Sequence, residues 1–333
     1  MTTLRQVAER AGVSLATASR VLTGSARVRA ETRERVERAM RDLLYVPPGR
    51  PKQTGAIGLL IPELANPIFP AFAQAMETQA TKAGLATILC NIRGSTVAET
   101  EYVQMLLERR VEGMIFISSE AADLRADHSH YARLLAQGAR LVFVNGAAGA
   151  LEVPHVGVDE RAAGQIATQH LIELGHRRIG FVAGPKRFVP TRDKAAGREL
   201  ALAAAGLPAN GLVAHAEFGV EGGRAAMGQL LEKTAPPTGV ICSSDVMAIG
   251  ALREATARGL HVPEDVSIVG FDGIEAAGWT DPPLTTVEQP IADIARTAVS
   301  TLRSLIAGSS DAMPDVQYRP RLREGGSTSP PSG

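Results

Sequence analysis

The apolar residues at the start of the chain recur with a helical period. They stand at i, i+3, i+4 and i+7 from Leu4 to Ala11, which predicts an amphipathic helix. Gly12 interrupts the pattern, and Ser14 is a suitable N-cap for a second helix that extends to Leu22. Two short helices around a glycine-containing turn are typical of the helix-turn-helix, whose second helix enters the DNA major groove. Any small helical hairpin has the same pattern, so the alternative stays open at this point.

A third amphipathic helix is predicted in the stretch ETRERVERAMRDLLY, where the apolar positions again share one face. Residues 1–46 are therefore assigned to a small all-α helix-turn-helix domain. The stretch VPPGRPKQTG follows, and its three prolines and two glycines in ten positions disfavour a helix. Residues 47–55 are predicted to form an extended linker.

From Ala56 onward, short apolar runs such as AIGLLIP, GMIFIS and VSIVGFD alternate with amphipathic helical segments. Strands that alternate with helices predict parallel sheets and an α/β body. The final stretch EGGSTSPPSG, residues 324–333, lacks apolar side chains and is predicted to be a disordered tail.

Motif chemistry is sparse in this body. Neither a G-x-G-x-x-G after a strand nor a G-x-x-x-x-G-K-[ST] occurs, and no metal-ligand spacing is present, so we expect no cofactor and no metal. Cys90 and Cys242 lie in apolar runs and are expected to be buried small side chains. His176, in the stretch GHRRIG, is expected to make a structural hydrogen bond rather than to serve in catalysis.

Charge is distributed unevenly along the 333 residues. Residues 1–50 hold ten arginines and five acidic residues, a net charge of +5, and the remainder carries −5 because the whole chain is formally neutral. A basic head on a mildly acidic body is expected when only the head contacts phosphate. Because the first residues are charged and no apolar run approaches the ~18 residues of a membrane span, we expect a cytoplasmic, nucleoid-associated protein with no membrane partner.

The motifs, in their order, resemble the LacI/GalR family of bacterial transcriptional regulators over residues 3–323. The matching stretches are TLRQVAERAGVSLATASRVL, VRAETRERV, YVP, IGLLIPELANPIF, RVEGMIFIS, VGVD, HLIELGHRRIGFVAGP, SSDVMAIGAL, VPEDVSIVGFDG and PPLTTVEQP. The resemblance implies a three-helix head and a two-lobed body, residues 56–323, that folds like a periplasmic binding protein and serves effector binding and dimerisation. Lobe one is expected at residues 56–158 and 290–314, and lobe two at 159–289 and 315–323.

The resemblance also implies which head residues contact DNA. Leu15 and Ala16 match positions that read bases, yet they offer only apolar contact, such as with a thymine methyl group. Arg20 matches a groove-contacting position and can pair with guanine or phosphate. The positions that match phosphate contacts, which set register without reading sequence, are Ser14, Thr17, Ser19, Arg27 and Thr32.

Two features of the head depart from the family pattern. Arg29 stands where the family usually has a serine that caps the third helix, so a cap worth ~1 kcal/mol is lost, and we expect Arg29 to bind phosphate instead. The linker lacks the leucine that family members wedge into the minor groove. We therefore expect the hinge helix to be absent, and minor-groove kinking is not carried over.

The cleft positions implied by the resemblance combine carboxylates and hydroxyls with phenylalanine rings. Such groups bind the hydroxyls and the apolar faces of a sugar or polyol, and strand ends are where open α/β sheets bind ligands. Asp245 is expected to cap a helix rather than to touch the ligand. The candidate effector-binding residues are Asn66, Ile68, Phe69, Ser118, Asp159, Arg192, Lys194, Phe218, Ser244, Asp272 and Ile291.

The charge of the effector remains open between a neutral sugar and a sugar acid. Lys194 replaces the usual arginine of the family, and together with Lys186, Arg187 and Arg192 it forms a basic segment that favours an aldonate or uronate. The alternative is that Lys186 and Arg187 face solvent.

These observations predict a DNA-binding repressor of a carbohydrate-utilisation operon, whose affinity for double-stranded operator DNA is controlled by a sugar or sugar acid. The resemblance implies a homodimer rather than a tetramer, because tetramers of the family use a C-terminal leucine heptad that the stretch RLREGGSTSPPSG lacks. A transport-type solute-binding protein and an enzyme on an α/β fold are the alternatives. The basic head argues against the first, and the lack of a nucleophile–base pair or metal-ligand motif argues against the second.

Overall fold

The computed structural model describes residues 2–23, 28–45, 55–92, 95–118, 120–146, 152–209, 211–309 and 315–332. The chain divides into two compact units, Met1–Gln53 and Thr54–Gly333, which we call the head and the body. The predicted linker, with its expected lack of a hinge helix, lies outside the described residues except for Gly55.

The head consists of helices α1 (Leu4–Ala11), α2 (Leu15–Leu22) and α3 (Ala30–Asp42), which confirms the three predicted helices. Thr3 begins α1 with a capping box, and Gly12 ends it in the left-handed conformation at φ 64°. The small buried core of the head is formed by Val7, Ala8, Ala11, Ala18, Val21, Val36, Ala39 and Tyr45.

The body contains two six-stranded sheets, which confirms the α/β class with parallel sheets. The order is β11-β5-β4-β3-β1-β2 in lobe one and β12-β10-β9-β8-β6-β7 in lobe two, and β12 alone pairs antiparallel among these strands. The strands of lobe one are β1 (Gly55–Ile61), β2 (Leu85–Asn91), β3 (Gly113–Ile117), β4 (Leu141–Val144), β5 (His155–Val158) and β11 (Asp315–Tyr318). Those of lobe two are β6 (Ile179–Ala183), β7 (Val213–His215), β8 (Gly239–Cys242), β9 (Ser267–Asp272), β10 (Thr285–Glu288) and β12 (Arg321–Arg323).

Helices connect the parallel strands, as parallel pairing requires. Lobe one holds α4 (Ile68–Lys82), α5 (Thr96–Glu108), α6 (Ser129–Ala136) and α11 (Ile291–Ile306). Lobe two holds α7 (Glu160–Glu173), α8 (Val189–Ala204), α9 (Val220–Leu231) and α10 (Asp245–Ala257). Two short 3-10 helices, Glu120–Ala122 and Glu275–Gly278, follow strands β3 and β9.

The chain crosses between the lobes after β5, after β10 and after β11. The last crossing corrects the expected lobe boundary, because Asp315–Tyr318 pairs in parallel with His155–Val158 and so belongs to the sheet of lobe one. Only Arg321–Arg323 joins lobe two, where it pairs with β10. The sequence pattern predicts no strand at these residues, and the resemblance assigns residues 315–323 to lobe two.

The predicted disorder of residues 324–333 is wrong for residues 324–332. Ser327 is fully buried, and its hydroxyl donates to the Ile268 carbonyl over 2.6 Å. Ile268 N–H donates to the Ser327 carbonyl, and Thr285 N–H donates to the Ser327 hydroxyl, each over 2.8 Å. A polar segment is ordered here because backbone and hydroxyl groups, not apolar side chains, attach it to lobe two.

The buried polar and thiol groups fit their sequence-based expectations. His176 is buried, and its ring nitrogens lie 3.0 Å from the Thr238 hydroxyl and 3.1 Å from the Ser267 hydroxyl. Both cysteines are buried, and burial raises the pKa of the Cys90 thiol to about 11. Among the helices of the described residues, none is both long and apolar enough to cross a bilayer.

Candidate functional site

A cavity of about 590 Å³ lies between the two lobes of the body. This volume is within the range of small-molecule sites, and the carboxyl ends of strands from both sheets face it, as expected for α/β folds. The predicted residues that line it are Asn66, Ile68, Phe69, Ser118, Lys194, Phe218, Ser244 and Asp272.

Lobe one contributes mostly neutral or apolar side chains near the ends of β1, β3 and β4, together with the Glu63 carboxyl, whose pKa is raised by burial. Asn66 precedes α4, and its side-chain oxygen accepts the Ile68 N–H over 3.3 Å, which fixes the turn that carries Ile68 and Phe69. Ser118 and Asn145 follow β3 and β4 in the left-handed conformation, at φ 44° and 53°. These backbone turns end the strands and place short polar side chains at the cavity.

A chain of amide hydrogen bonds, here called the amide relay, joins the two lobes beside the cavity. Val158 N–H donates to Asn145 Oδ1 (3.1 Å), Asn145 Nδ2 donates to Gln289 Oε1 (2.8 Å), and Gln289 Nε2 donates to Asp272 Oδ1 (2.8 Å). The Val158 N–H can only donate, so the Asn145 atom that it contacts must be the accepting oxygen. The amide nitrogen of Asn145 then donates to Gln289, and that of Gln289 donates to Asp272. Asn145 and Gln289 were missed by the sequence reasoning.

Lobe two contributes buried charge. The Lys194 ammonium pairs with Glu160 and lies 3.7 Å from the centre of the Phe271 ring, a cation–π contact. Both charged side chains are almost completely buried. Burial raises the pKa of the Glu160 carboxyl, although the Lys194 charge opposes this rise.

Asp272 ends β9 at φ 123°, a strained conformation for a side-chain-bearing residue. Its carboxyl is buried, and burial together with repulsion from Asp245 raises its pKa. Strain and charge repulsion concentrated at one cavity residue are typical of functional sites.

Asp245 does not have its expected capping role. The N-cap of α10 is Ser244, whose hydroxyl accepts the Met247 N–H over 3.3 Å. The Asp245 carboxylate instead accepts the N–H groups of Gly273 and Ile274, each over 2.9 Å, and so holds the turn after Asp272.

At the mouth of the cavity the two lobes make a direct contact, here called the clasp. Arg187 Nε of lobe two lies 2.9 Å from Asp123 Oδ2 of lobe one, and Leu124 N–H donates to the Arg187 carbonyl over 2.8 Å. The Arg187 guanidinium also lies over the Phe188 ring, 4.9 Å from its centre. Phe188 packs against Phe218 at 5.6 Å, which gives the mouth an aromatic wall.

Three predicted effector residues do not line the cavity, which corrects the sequence-based set. Asp159 is the N-cap of α7, and its carboxylate accepts the Ala162 N–H over 2.8 Å. Arg192 is exposed and pairs with its neighbour Asp193. Ile291 packs against the apolar core at the start of α11.

Some of the lining residues that were missed are direct neighbours of predicted ones. Glu160 follows Asp159, and Phe271 precedes Asp272, so a shift of one position separates the expected residue from the lining one. Periodicity cannot resolve such a shift where a strand ends and a helix begins. The missed lining residues discussed above are Asn145, Glu160, Arg187, Phe188, Phe271 and Gln289.

In the head, α2 presents a mostly polar surface. Leu15 is 52 % exposed, and Ala16, Ser19 and Arg20 are exposed beside it. The Ser14 hydroxyl caps α2 by accepting the Thr17 N–H over 3.1 Å. Helix α2 therefore has the exposure that a DNA-reading helix requires.

The second group of expected DNA contacts lies near the start of α3. Arg29 is exposed at the N-cap and makes no side-chain capping bond, which confirms the loss of the serine cap. Thr32 is half-buried in the first turn. Arg27 lies outside the described residues.

Two family models match separate parts of the chain, one in the head and one in the body. The family model for bacterial regulatory proteins of the lacI family matches residues 3–48, and that for a periplasmic binding protein-like domain matches residues 168–328. The HTH-type transcriptional regulator MalR of Streptomyces coelicolor is 42 % identical, over 100 % of this chain and 98 % of its own. The chain belongs to the LacI family.

Two solved structures of transcription regulators share the fold. The complex of the transcriptional regulator CelR with cellobiose matches with a TM-score of 0.76 and 32 % identity, over 98 % of this chain and 100 % of that chain. The lac repressor dimer bound to operator and the anti-inducer ONPF matches with a TM-score of 0.74 and 28 % identity, over 98 % and 99 %. This LacI-family chain is therefore a DNA-binding transcription regulator and not an enzyme.

Proposed function

We propose that this LacI-family regulator represses a carbohydrate-utilisation operon and that a neutral sugar bound between the lobes controls its operator affinity. The observation that carries the proposal is the cavity between the lobes, where aromatic rings alternate with hydrogen-bonding groups. Phe69 and Phe218 offer apolar faces, while Asn66, Ser118 and Asp272 offer polar atoms that pair with hydroxyl groups.

The charges around the cavity favour a neutral sugar over the sugar acid that the basic segment suggested. Lys194 is already paired with Glu160, and Arg187 is already paired with Asp123. Lys186 and Arg192 are exposed and lie outside the lining. Within the described residues, the cations that line the cavity are thus neutralised, and an additional carboxylate would face Glu160 and Asp272. CelR, which shares the fold, holds the neutral disaccharide cellobiose.

Calorimetry with the full-length protein tests the charge of the effector. We expect binding by a member of a neutral panel of cellobiose, maltose and ribose, and none by gluconate or glucuronate. Phe218→Ala should weaken the binding about tenfold by removing a ring face. Leu200→Ala, which truncates an exposed side chain on α8 outside the cavity, is the control. Binding of the acids alone would contradict the proposal.

For DNA, we propose that α2 lies in the major groove, with Arg20 reading a base and Arg29 contacting phosphate. A gel shift on DNA upstream of the gene of this protein, with and without sugar, provides the assay. Arg20→Ala should cost ~1–3 kcal/mol and relax base preference at one position. Arg29→Ser should lower the slope of log affinity against log salt by about one unit, while Arg303→Ala in the body should leave the slope unchanged.

We further propose that the regulator acts in the cytoplasm as a homodimer whose body forms the interface. The lac repressor, which shares the fold, is a dimer in its complex with operator. Sedimentation should give the mass of two chains, and a mass of four would contradict the proposal. The two heads would then address half-sites about 34–36 Å apart.

A further inference from the structure

Three metal-ligating side chains meet in lobe one, outside the set of residues that line the cavity. Glu99 comes from α5, Glu120 from the 3-10 helix Glu120–Ala122, and His130 from α6. One ligand atom from each lies within 4.8 Å of the others. Glu99 is 1 % exposed, and the other two side chains are half-buried. Three separate elements therefore bring nitrogen and carboxylate ligands to one point.

The orientation of His130 is one that a metal ligand would have. Its Nδ1 lies 3.0 Å from the Asp127 carbonyl, which can only accept, so Nδ1 carries a ring proton. Its Nε2 lies 3.3 Å from Glu99 Oε1. This approach requires a positive charge, which is supplied either by a second ring proton, in an ion pair with Glu99, or by a metal ion.

A metal ion accounts for this geometry. Two ligand atoms that are each ~2.1 Å from a tetrahedral zinc ion lie about 3.4 Å apart. Donation of the second ring nitrogen to a carbonyl is the usual support of a metal-binding histidine. The Tyr131 hydroxyl donates to Glu99 Oε1 over 2.5 Å and orients the carboxylate in the same way.

The ligand types of the cluster fit a zinc-type ion. One imidazole with two carboxylates is a ligand set that zinc accepts, whereas magnesium prefers oxygen ligands alone.

We propose that Glu99, Glu120 and His130 bind a divalent metal ion of the zinc type. The site has a structural consequence for the cleft, because the segment that carries Glu120 also carries Ala122, which lines the cavity, and Asp123, which forms the clasp. The metal ion ties this segment to α5 and α6. It therefore fixes one wall of the cavity without touching the effector.

The test uses full-length protein that has been stripped of metal and titrated with Zn²⁺ against a chromogenic chelator. We expect one Zn²⁺ per chain and a thermal unfolding midpoint that rises with Zn²⁺ concentration, while Mg²⁺ produces no such rise. His130→Gln and Glu99→Gln should each weaken Zn²⁺ binding at least tenfold. His261→Gln is the matched control, because His261 is an exposed histidine that also pairs with a carboxylate, Asp265.

A second measurement keeps the test independent of variant folding. Co²⁺ bound to the unaltered protein should give the visible absorption spectrum of a four- or five-coordinate N/O site, and Zn²⁺ should displace it. Less than stoichiometric Zn²⁺ at neutral pH would overturn the proposal. Equal losses of affinity in His130→Gln and His261→Gln would overturn it too, since the cluster would then hold only a proton shared between His130 and Glu99.

Discussion

Lobe one meets the cavity mainly with amides, a hydroxyl and apolar side chains, and with the half-buried carboxyl of Glu63, whereas lobe two meets it with a lysine and carboxylates that are buried together. The two sheets share the same strand order apart from the direction of their last strands. The difference therefore does not come from topology. It comes from the residues at the strand ends, where Ser118 and Asn145 stand in one lobe and Ser244 and Asp272 in the other.

The comparison teaches that the lobes hold the effector by different means. In lobe two the charged groups satisfy one another before any ligand arrives, through the contact of Lys194 with Glu160 and the anchoring of the loop by Asp245. Such a surface is preorganised and changes little on binding. In lobe one, neutral side chains contribute fewer fixed bonds, and the amide relay and the clasp attach it to lobe two.

Removal of the buried cation should have the largest effect. Lys194→Met leaves Glu160 and Asp272 buried without a compensating charge, and loss of one partner of a buried pair costs ~3–5 kcal/mol of folding free energy. Calorimetric unfolding of the body measures this loss. Lys186→Met, at an exposed site in the same segment, should change stability by less than about 0.5 kcal/mol. Equal losses of folding free energy in the two variants would contradict the proposal that paired buried charges stabilise lobe two.

The pH dependence of stability should be the next largest effect. Burial raises the pKa of Asp245 to about 7 and also raises that of Asp272, so the folded body binds these protons more tightly than the unfolded chain does. Stability should therefore fall as pH rises from about 4 and level off above the folded pKa values. His170 and His176, whose pKa values burial lowers, contribute the opposite slope near pH 6.

The variant Asp272→Asn isolates the carboxyl contribution, because the histidines act equally in both proteins. Asparagine tolerates a positive φ and still accepts the bond from Gln289. Unfolding in urea at pH 5 and pH 8 should show that the unaltered protein loses on the order of 1–2 kcal/mol relative to Asp272→Asn. A constant difference between the two proteins at both pH values would contradict a raised pKa of Asp272.

Disruption of the amide relay should lower stability by a smaller amount, and the losses from its two amides should not be additive. Asn145→Ala leaves the Val158 N–H and Gln289 Oε1 without their partner, which costs ~1–3 kcal/mol. Gln289→Ala should cost a similar amount, and the double variant should cost clearly less than the sum. Additive losses in chemical denaturation would mean that the two amides do not act as one link between the lobes.

The clasp should have the smallest effect on stability. Arg187 is about one-third exposed (36 %), so Arg187→Gln should cost no more than ~1 kcal/mol. Because the pair joins the lobes at the mouth, the same change should speed sugar release by up to about fivefold, as measured by stopped flow. Arg192→Gln removes the nearby Arg192–Asp193 pair within lobe two and should leave the release rate unchanged. Equal rates of sugar release in the two variants would show that the clasp does not slow the release.

The sequence predicts the helical head and the α/β body because the periodicity of apolar residues is visible within each short segment of the chain. The resemblance to the LacI family placed Lys194, Phe218 and Asp272 at the cavity. It could not find the contact of Asn145 with Gln289, because these residues meet only through the crossing of the chain between lobes. Nor could it choose between Asp159 and Glu160, since the local turn decides which neighbouring carboxylate caps the helix and which faces the cavity.

The tail and β11 show a second limit of sequence patterns. Ser327 is ordered by hydrogen bonds to Ile268 and Thr285, whose positions are fixed by the tertiary fold. Asp315–Tyr318 adds to lobe one because β5 offers an open edge there. Sequence composition does not show the open edge of β5 or the hydrogen bonds of Ser327. The structure was therefore needed to place both segments.

The three crossings also determine when each lobe is completed during synthesis. Lobe one begins first, yet its sheet lacks β11, and its core lacks α11, until residues 291–318 have left the ribosome. By then β6 to β10 of lobe two have already emerged. Throughout that interval the outer edge of β5 has no neighbour strand, and unpaired edges are the segments that join other chains. The nascent regulator therefore exposes the edge of His155–Val158, which β11 covers in the finished protein.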